Sequence, residues 1–220
     1  MDKFIVDGRY AELLNYYGIH VEEVLRKAGL PGDTFCHKAP VIKEEAYYRF
    51  MDAVGSLITD SQIPVQIACT DQIESFSPPI FASYCSKNGN VCIERLARYK
   101  KLIGPMVFQI QKENGHTEVV LTTETAKYEL PQFLVETEFV FLMGIIRKAA
   151  KETIKPVVVN MQKPVTDIAF SDFFGCKATP AEHDSIVFQA SDLEIPFISR
   201  RTLMHPIPCI RSRHGISRGM

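Results

Sequence analysis

Apolar positions recur at spacings of three and four through most of the first hundred residues. Residues 11–17 and 21–28 read as short helices, closed by Gly18 and by Gly29 ahead of Pro31. Glycine takes the left-handed cap readily, and proline blocks continuation. A third helix is predicted near 43–58, with Ala46, Tyr47, Phe50, Val54 and Leu57 on one face. Ser77-Pro78-Pro79 opens a further segment through Ser86, its prolines in first-turn positions where a missing N–H does no harm. Another helix is expected over 88–101, with Val91, Ile93, Leu96, Ala97 and Leu102 as its stripe.

Gly104 changes the period. Met106, Phe108 and Ile110 alternate with Val107, Gln109 and Gln111, and Val119 and Leu121 alternate again beyond Asn114-Gly115. Asn-Gly between two alternating runs predicts a hairpin. The longest helix is expected over 131–151, with Leu134, Val135, Phe139, Leu142, Met143, Ile145 and Ile146 inward, a stripe wide enough for a core and a partner. A β-branched strand over 156–161, a short helix over 167–174 closed by Gly175, and a strand over 185–190 follow. The class is α+β: a helical N-terminal half, 1–103, packed on a ββαββ unit, 104–204, with an antiparallel or mixed sheet. Residues 205–220 hold three arginines and no acid, and are expected to form an irregular tail.

Charge adds an exclusion. With 25 basic and 26 acidic residues the net charge is -1, so no basic face offers the phosphate contacts that nucleic acid requires. The six cysteines, at 36, 69, 85, 92, 176 and 209, form no CxxC pair, and Cys69, Cys85 and Cys92 fall in apolar-periodic stretches. A reducing, cytoplasmic compartment is expected. Charges run through Met1–Tyr10 without an apolar core, so no signal peptide is expected. The longest apolar run, 139–146, is far short of the ~20 residues that span a bilayer, so no membrane partner is expected.

Candidate chemistry is sparse. The histidines at 20, 37, 116, 183, 205 and 214 give no i, i+4 metal pair, and neither HExxH nor Gly-x-Ser-x-Gly occurs. No metal and no cofactor is expected. Cys85, or Cys36 with His37, would need a lowered thiol pKa and an orienting third group to act as a nucleophile. Neither is legible, and no enzyme is expected. The first two helices imitate a helix-turn-helix, but Glu22 and Glu23 stand where a reader would meet phosphates, which favours plain packing. The run Arg95, Arg98, Tyr99, Lys100, Lys101 has two readings: a solvated helix end whose cations complement the dipole, or an anion-accepting wall with Arg98 and Tyr99 turned inward. Phe76, Phe81, Tyr84 and Tyr99 cluster at the junction of the two halves. The expected ligand pocket lies between helix 89–101 and the sheet, lined by Phe81, Tyr84, Arg98 and Tyr99.

Four segments in order then carry a resemblance: Ser77-Pro78-Pro79-Ile80-Phe81-Ala82, Ile93-Glu94-Arg95-Leu96-Ala97-Arg98-Tyr99-Lys100, Phe173-Phe174-Gly175 and Ala190-Ser191-Asp192-Leu193-Glu194-Ile195-Pro196. Together with Tyr17-Gly18-Ile19 and Ala28-Gly29-Leu30, they resemble the arabinose-binding domain of AraC-type transcription regulators over about 9–204. The resemblance implies an N-terminal domain that senses a small-molecule effector and dimerises, joined to a C-terminal pair of helix-turn-helix units that binds DNA. It fixes neither the effector nor any pocket residue. The partners it implies are an unknown small molecule and a second copy of the chain. DNA is expected only through the C-terminal domain, which is expected to be absent here. The alternative is a stand-alone small-molecule or haem-binding module. On charge grounds, a titration of this chain with random duplex at ~150 mM salt should find binding weaker than about micromolar; tighter binding would reveal a basic surface that the sequence hides.

Overall fold

The computed structural model describes residues 3–6, 8–37, 40–69, 77–125 and 127–198. Phe76, named above among the aromatics, and the tail 205–220 lie outside the described residues. The helical half contributes α1 (Gly8–Tyr16), α2 (Val21–Ala28), α3 (Glu44–Leu57), α4 (Ile63–Ala68), α5 (Pro78–Tyr84) and α6 (Gly89–Tyr99). Gly29 caps α2 at φ 66°, and the Asn88 side chain accepts from the Val91 N–H at the start of α6. Three features escape the sequence patterns: the antiparallel ribbon of β1 (Lys3–Ile5) with β2 (Val41–Lys43), α4, and β6 below. Each has three to six residues, too few to show a period.

The second half holds β3 (Met106–Glu113), β4 (His116–Thr123), α7 (Gln132–Ala150), β5 (Val158–Met161), α8 (Ile168–Phe174), β6 (Ala178–Pro180) and β7 (Asp184–Gln189). Asn114 and Gly115 take φ of 49° and 77°, the positive values that a two-residue hairpin turn needs. The sheet order is β3-β4-β7-β5-β6, with β5 and β6 parallel and the other pairs antiparallel. One row crosses all five strands: Ile110 faces Val119, Val119 faces Ile186, Ile186 faces Val159, and Val159 faces Ala178. Val119, Ile186 and Val159 at the centre of this row are fully buried, which makes it one face of the core.

Between the helices and this sheet lies α7. It packs against α3, α4, α5 and α6, and its apolar residues share one core cluster with Phe108, Leu121, Ile186 and Phe188. Ten of its nineteen residues are buried, from Leu134 through Ala150. A helix apolar on most of its circumference is buried on most of it. The width expected to serve a partner is therefore taken up by the chain's own core.

The passage from α6 to β3 holds a buried ion pair. Lys100, 1% exposed, donates to Glu138 of α7, and its Nζ lies 4.9 Å from the Phe108 ring centroid and 5.8 Å from that of Phe141. Within this run Arg98 and Lys101 are exposed, as a solvated helix end would be, whereas Lys100 is buried against Glu138. Around the pair, the Tyr48 hydroxyl donates to the Pro105 carbonyl, and Tyr47 bonds Tyr10. Burial, then Tyr10 and Glu138, hold the Tyr47 phenol well above its ordinary pKa, so it stays neutral.

Removing one partner strands the other charge in the core. Lys100→Ala should lower the unfolding free energy by about 3–5 kcal/mol while preserving a single denaturation transition. The double change Lys100→Met with Glu138→Leu should recover most of that loss. A loss under about 1 kcal/mol for Lys100→Ala would mean that the pair is solvated.

Candidate functional site

The four residues expected to line a pocket lie on two successive helices. Phe81 and Tyr84 lie on α5, Arg98 and Tyr99 on α6, and Arg95 ties the two helices by donating to the Ala82 carbonyl at 2.8 Å. Phe81 is 47% exposed and Arg98 is exposed, whereas Tyr84 and Tyr99 are half-buried. Where the pocket was expected, α6 rests on β3, with Leu96, Met106 and Phe108 buried. The clefts described among the residues have other linings.

One cleft, of about 580 Å3, opens between the loop after α2, β2 and α3. Of its charged groups Arg49 pairs with Glu45 at 2.7 Å, Asp33 has His37 3.4 Å away, and Lys43 also lines it. Arg49 also donates to the Ala28 carbonyl at 3.0 Å. These contacts close the corner of the helical half.

A second cleft differs in kind. It lies where the end of α3 and the start of α4 meet the starts of α7 and α8, in two adjoining parts of about 390 and 550 Å3 that share Ser61, Val65 and Asp167. Its apolar wall includes Pro64, Phe133, Val165 and Phe170. Asp52, Glu136, Asp167 and Asp172 are its charged residues, and no lysine or arginine lines it. Local chemistry sets the acids in place. The Asp167 side chain caps α8 by accepting from the Ala169 N–H at 2.7 Å, and Ser171 Oγ donates back to the Asp167 carbonyl at 3.0 Å. Pro131 ends the extended approach to α7 and places Gln132, Phe133 and Glu136 in its first turns.

Glu136 is the perturbed group. Burial pushes its carboxyl up to about 7; a hydrogen bond from Gln132 opposes the rise, and the Asp167 charge adds to it. A carboxyl poised near neutrality in a cleft marks a candidate functional site. Sequence reasoning missed it. The available signal was the acid at 136 inside the most apolar helix of the chain.

Four of the described thiols are poorly suited to nucleophilic work. Burial raises Cys69, Cys85 and Cys176, and pushes Cys92 up to about 12, despite nearby arginines. Of the cysteines in apolar-periodic stretches, Cys92 is buried in the core, whereas Cys69 at the end of α4 has an exposed edge and is only partly desolvated. Among the described residues no group of three His, Cys, Asp or Glu is placed to hold a metal ion, and no helix is long and apolar enough to cross a membrane.

Folding raises the Glu136 pKa from an ordinary 4.5 to about 7, so the folded chain binds this proton more tightly than the unfolded one. Its stabilisation is full below about pH 4.5 and is lost as the pH rises through 7. Partial exposure limits the effect to about 1–2 kcal/mol. Glu136→Gln stays neutral, so its stability relative to the parent should grow between pH 5 and pH 8 in denaturant titrations. Parallel pH profiles for the two proteins would refute the assignment.

The fold and this cleft can be set beside known proteins. No curated protein matches the chain. Among solved structures, the fold is similar to that of the transcriptional regulator CdpR from Pseudomonas aeruginosa, with 12% identity and a TM-score of 0.55. The match covers 88% of this chain but 58% of that one, so the chain spans little more than half of that regulator. A model of the arabinose-binding domain found at the N-terminus of AraC transcription regulators matches residues 18–197. The chain belongs to this family of N-terminal domains of AraC transcription regulators.

Proposed function

We propose that this chain is the effector-sensing and dimerisation domain of an AraC-type regulator, and that its effector occupies the cleft at Glu136. The observation that carries the reading is a half-buried carboxyl, raised to about 7, in a cleft between helices of the two halves. Apolar walls with a few convergent polar groups at such a junction suit a small molecule. The lining is acidic and lacks a basic side chain, which favours an effector with a positive group over an anion. DNA would be contacted by a domain outside this chain, and dimerisation would supply the two-fold symmetry of paired half-sites.

A second reading keeps the effector on the α5–α6 hairpin. Half-buried Tyr84 and Tyr99, with Phe81 and Arg98 open beside solvent, favour an aromatic or anionic molecule there.

Native mass spectrometry of gently purified protein separates the two. A co-purified small molecule should be lost in Ser61→Trp, which fills the cleft mouth without touching the core, and retained in Phe81→Ala and Arg98→Ala. The reverse pattern would overturn the cleft and support the hairpin. Sedimentation at tens of micromolar should show a dimer, since one worth about 8 kcal/mol persists at that concentration; a monomer there would refute dimerisation.

A further inference from the structure

The segment after β7 belongs to no sheet and is held by a few specific contacts. A 3-10 turn at Asp192–Glu194 leads into extended chain that reaches Ile198. Leu193 and Phe197 are 0% and 3% exposed. Leu193 rests on Gly89, the first residue of α6, so closely that a Cβ there would lie 2.8 Å from Leu193 Cδ2 and 3.1 Å from its Cα. Pro196 bridges Asn88, and the Phe197 N–H donates to the Lys87 carbonyl at 2.9 Å. One residue later, the Ile198 N–H donates to the Ala149 carbonyl at 2.8 Å. Ala149 lies in the last turn of α7, where helix carbonyls have no partner of their own. The segment thus grips the start of α6 and caps the end of α7, holding one helix from each half.

The other end of α7 lines the acidic cleft. Its nineteen residues span about 28 Å at 1.5 Å per residue, from Gln132 and Phe133 to Ala149 and Ala150. Packed against four helices and sharing a core with the sheet, α7 cannot bend within that length without repacking its neighbours.

We propose that residues 191–198 are an output strap, coupled through α7 to the cleft, so that the seating of α7 at Glu136 governs how the strap holds the chain beyond Ile198. The proposal rests on the cleft as the effector site. The strap is suited to this task because its hold is small and local. Two buried side chains and two main-chain hydrogen bonds can be released while the sheet stays intact, the behaviour of a low-stability unit on a stable scaffold.

Amide hydrogen exchange, read residue by residue without any ligand, tests the coupling. Glu136→Gln and Phe133→Ala alter the cleft end of α7. Each should change exchange at Phe197 and Ile198 at least about fivefold, the lower range of measured site-to-site couplings. Val119 and Ile186, at the centre of the sheet, should hold their rates and so exclude general destabilisation. In the reverse direction, Leu193→Ala should free the strap and alter exchange in the first two turns of α7; Gly89→Ala, which pushes Leu193 away, serves if that variant does not fold. Coupling is reciprocal, so both directions must respond. Strap amides unmoved by both cleft variants, or a freed strap with the first turns of α7 unchanged, would overturn the proposal. Because no ligand enters, that failure is separate from a failure of Ser61→Trp to release a co-purified molecule.

Discussion

A helix enclosed by protein on most of its circumference admits a charge only with a partner beside it. α7 is that helix, and Glu138 is that charge. The partner, Lys100, stands where the chain leaves α6 for β3, so satisfying one carboxylate fixes the seam between helices and sheet. The aliphatic stem of the lysine runs through the core, and its ammonium faces Phe108 and Phe141 as well as the acid. Tyr48 then holds the Pro105 carbonyl, which would otherwise be an unpaired acceptor in the same buried seam. A shifted register at this point would strand Glu138, Lys100 and a backbone carbonyl together. A purely apolar seam would be close in stability, so what the pair supplies is position.

The same helix carries a second acid with the opposite fate. Residues two apart on a helix point about 200° from each other, given 3.6 residues per turn. Glu138 therefore turns toward α6 and β3, where a lysine waits, while Glu136 turns toward α3, α4 and α8, where none lines the cleft. The outcome is one carboxylate locked in an ion pair and another whose proton is held near neutrality by burial and by Asp167. Stabilising interactions absorb the first. The second has a hydrogen bond from Gln132 and no cationic partner along the cleft lining.

Much of this architecture is legible in the sequence because it is local. Asn114-Gly115 allows a tight turn, the alternation around it sets the register of β3 on β4, and Asp167 with Gly175 brackets α8. What escapes is short or tertiary. β1, β2 and β6 have three residues each, and α4 has six, two of them Pro64 and the mid-helix Gln66. Lys100 sits in a run of cations that any periodic reading assigns to solvent; its burial is decided by an acid 38 positions further on. The cleft at Glu136 was not legible for a related reason. Aromatic residues at a junction mark where two layers meet, and α6 meets β3 with Leu96 and Phe108 both buried. Space arises where helices merely end near one another, as α3, α4, α7 and α8 do, and helix ends are set by caps and loops rather than by periodicity.

Glu138 lies on the path from cleft to strap, one turn or less from Glu136 and three turns before Ala149, and its ion pair constrains any signal along α7. A helix pinned there by a buried pair cannot slide without breaking it, which would leave two unpaired charges in the core. It can tilt or turn slightly about the pin, and the two ends then move together. An effector drives such a change only by its differential affinity for the two seatings of α7. A cation bound deep in the cleft would meet that condition, because it would favour ionised Glu136 over the protonated form that burial otherwise promotes. The charge state at one end of α7 would then be set by the ligand, and the cap at Ala149 is a contact at the other end placed to register it.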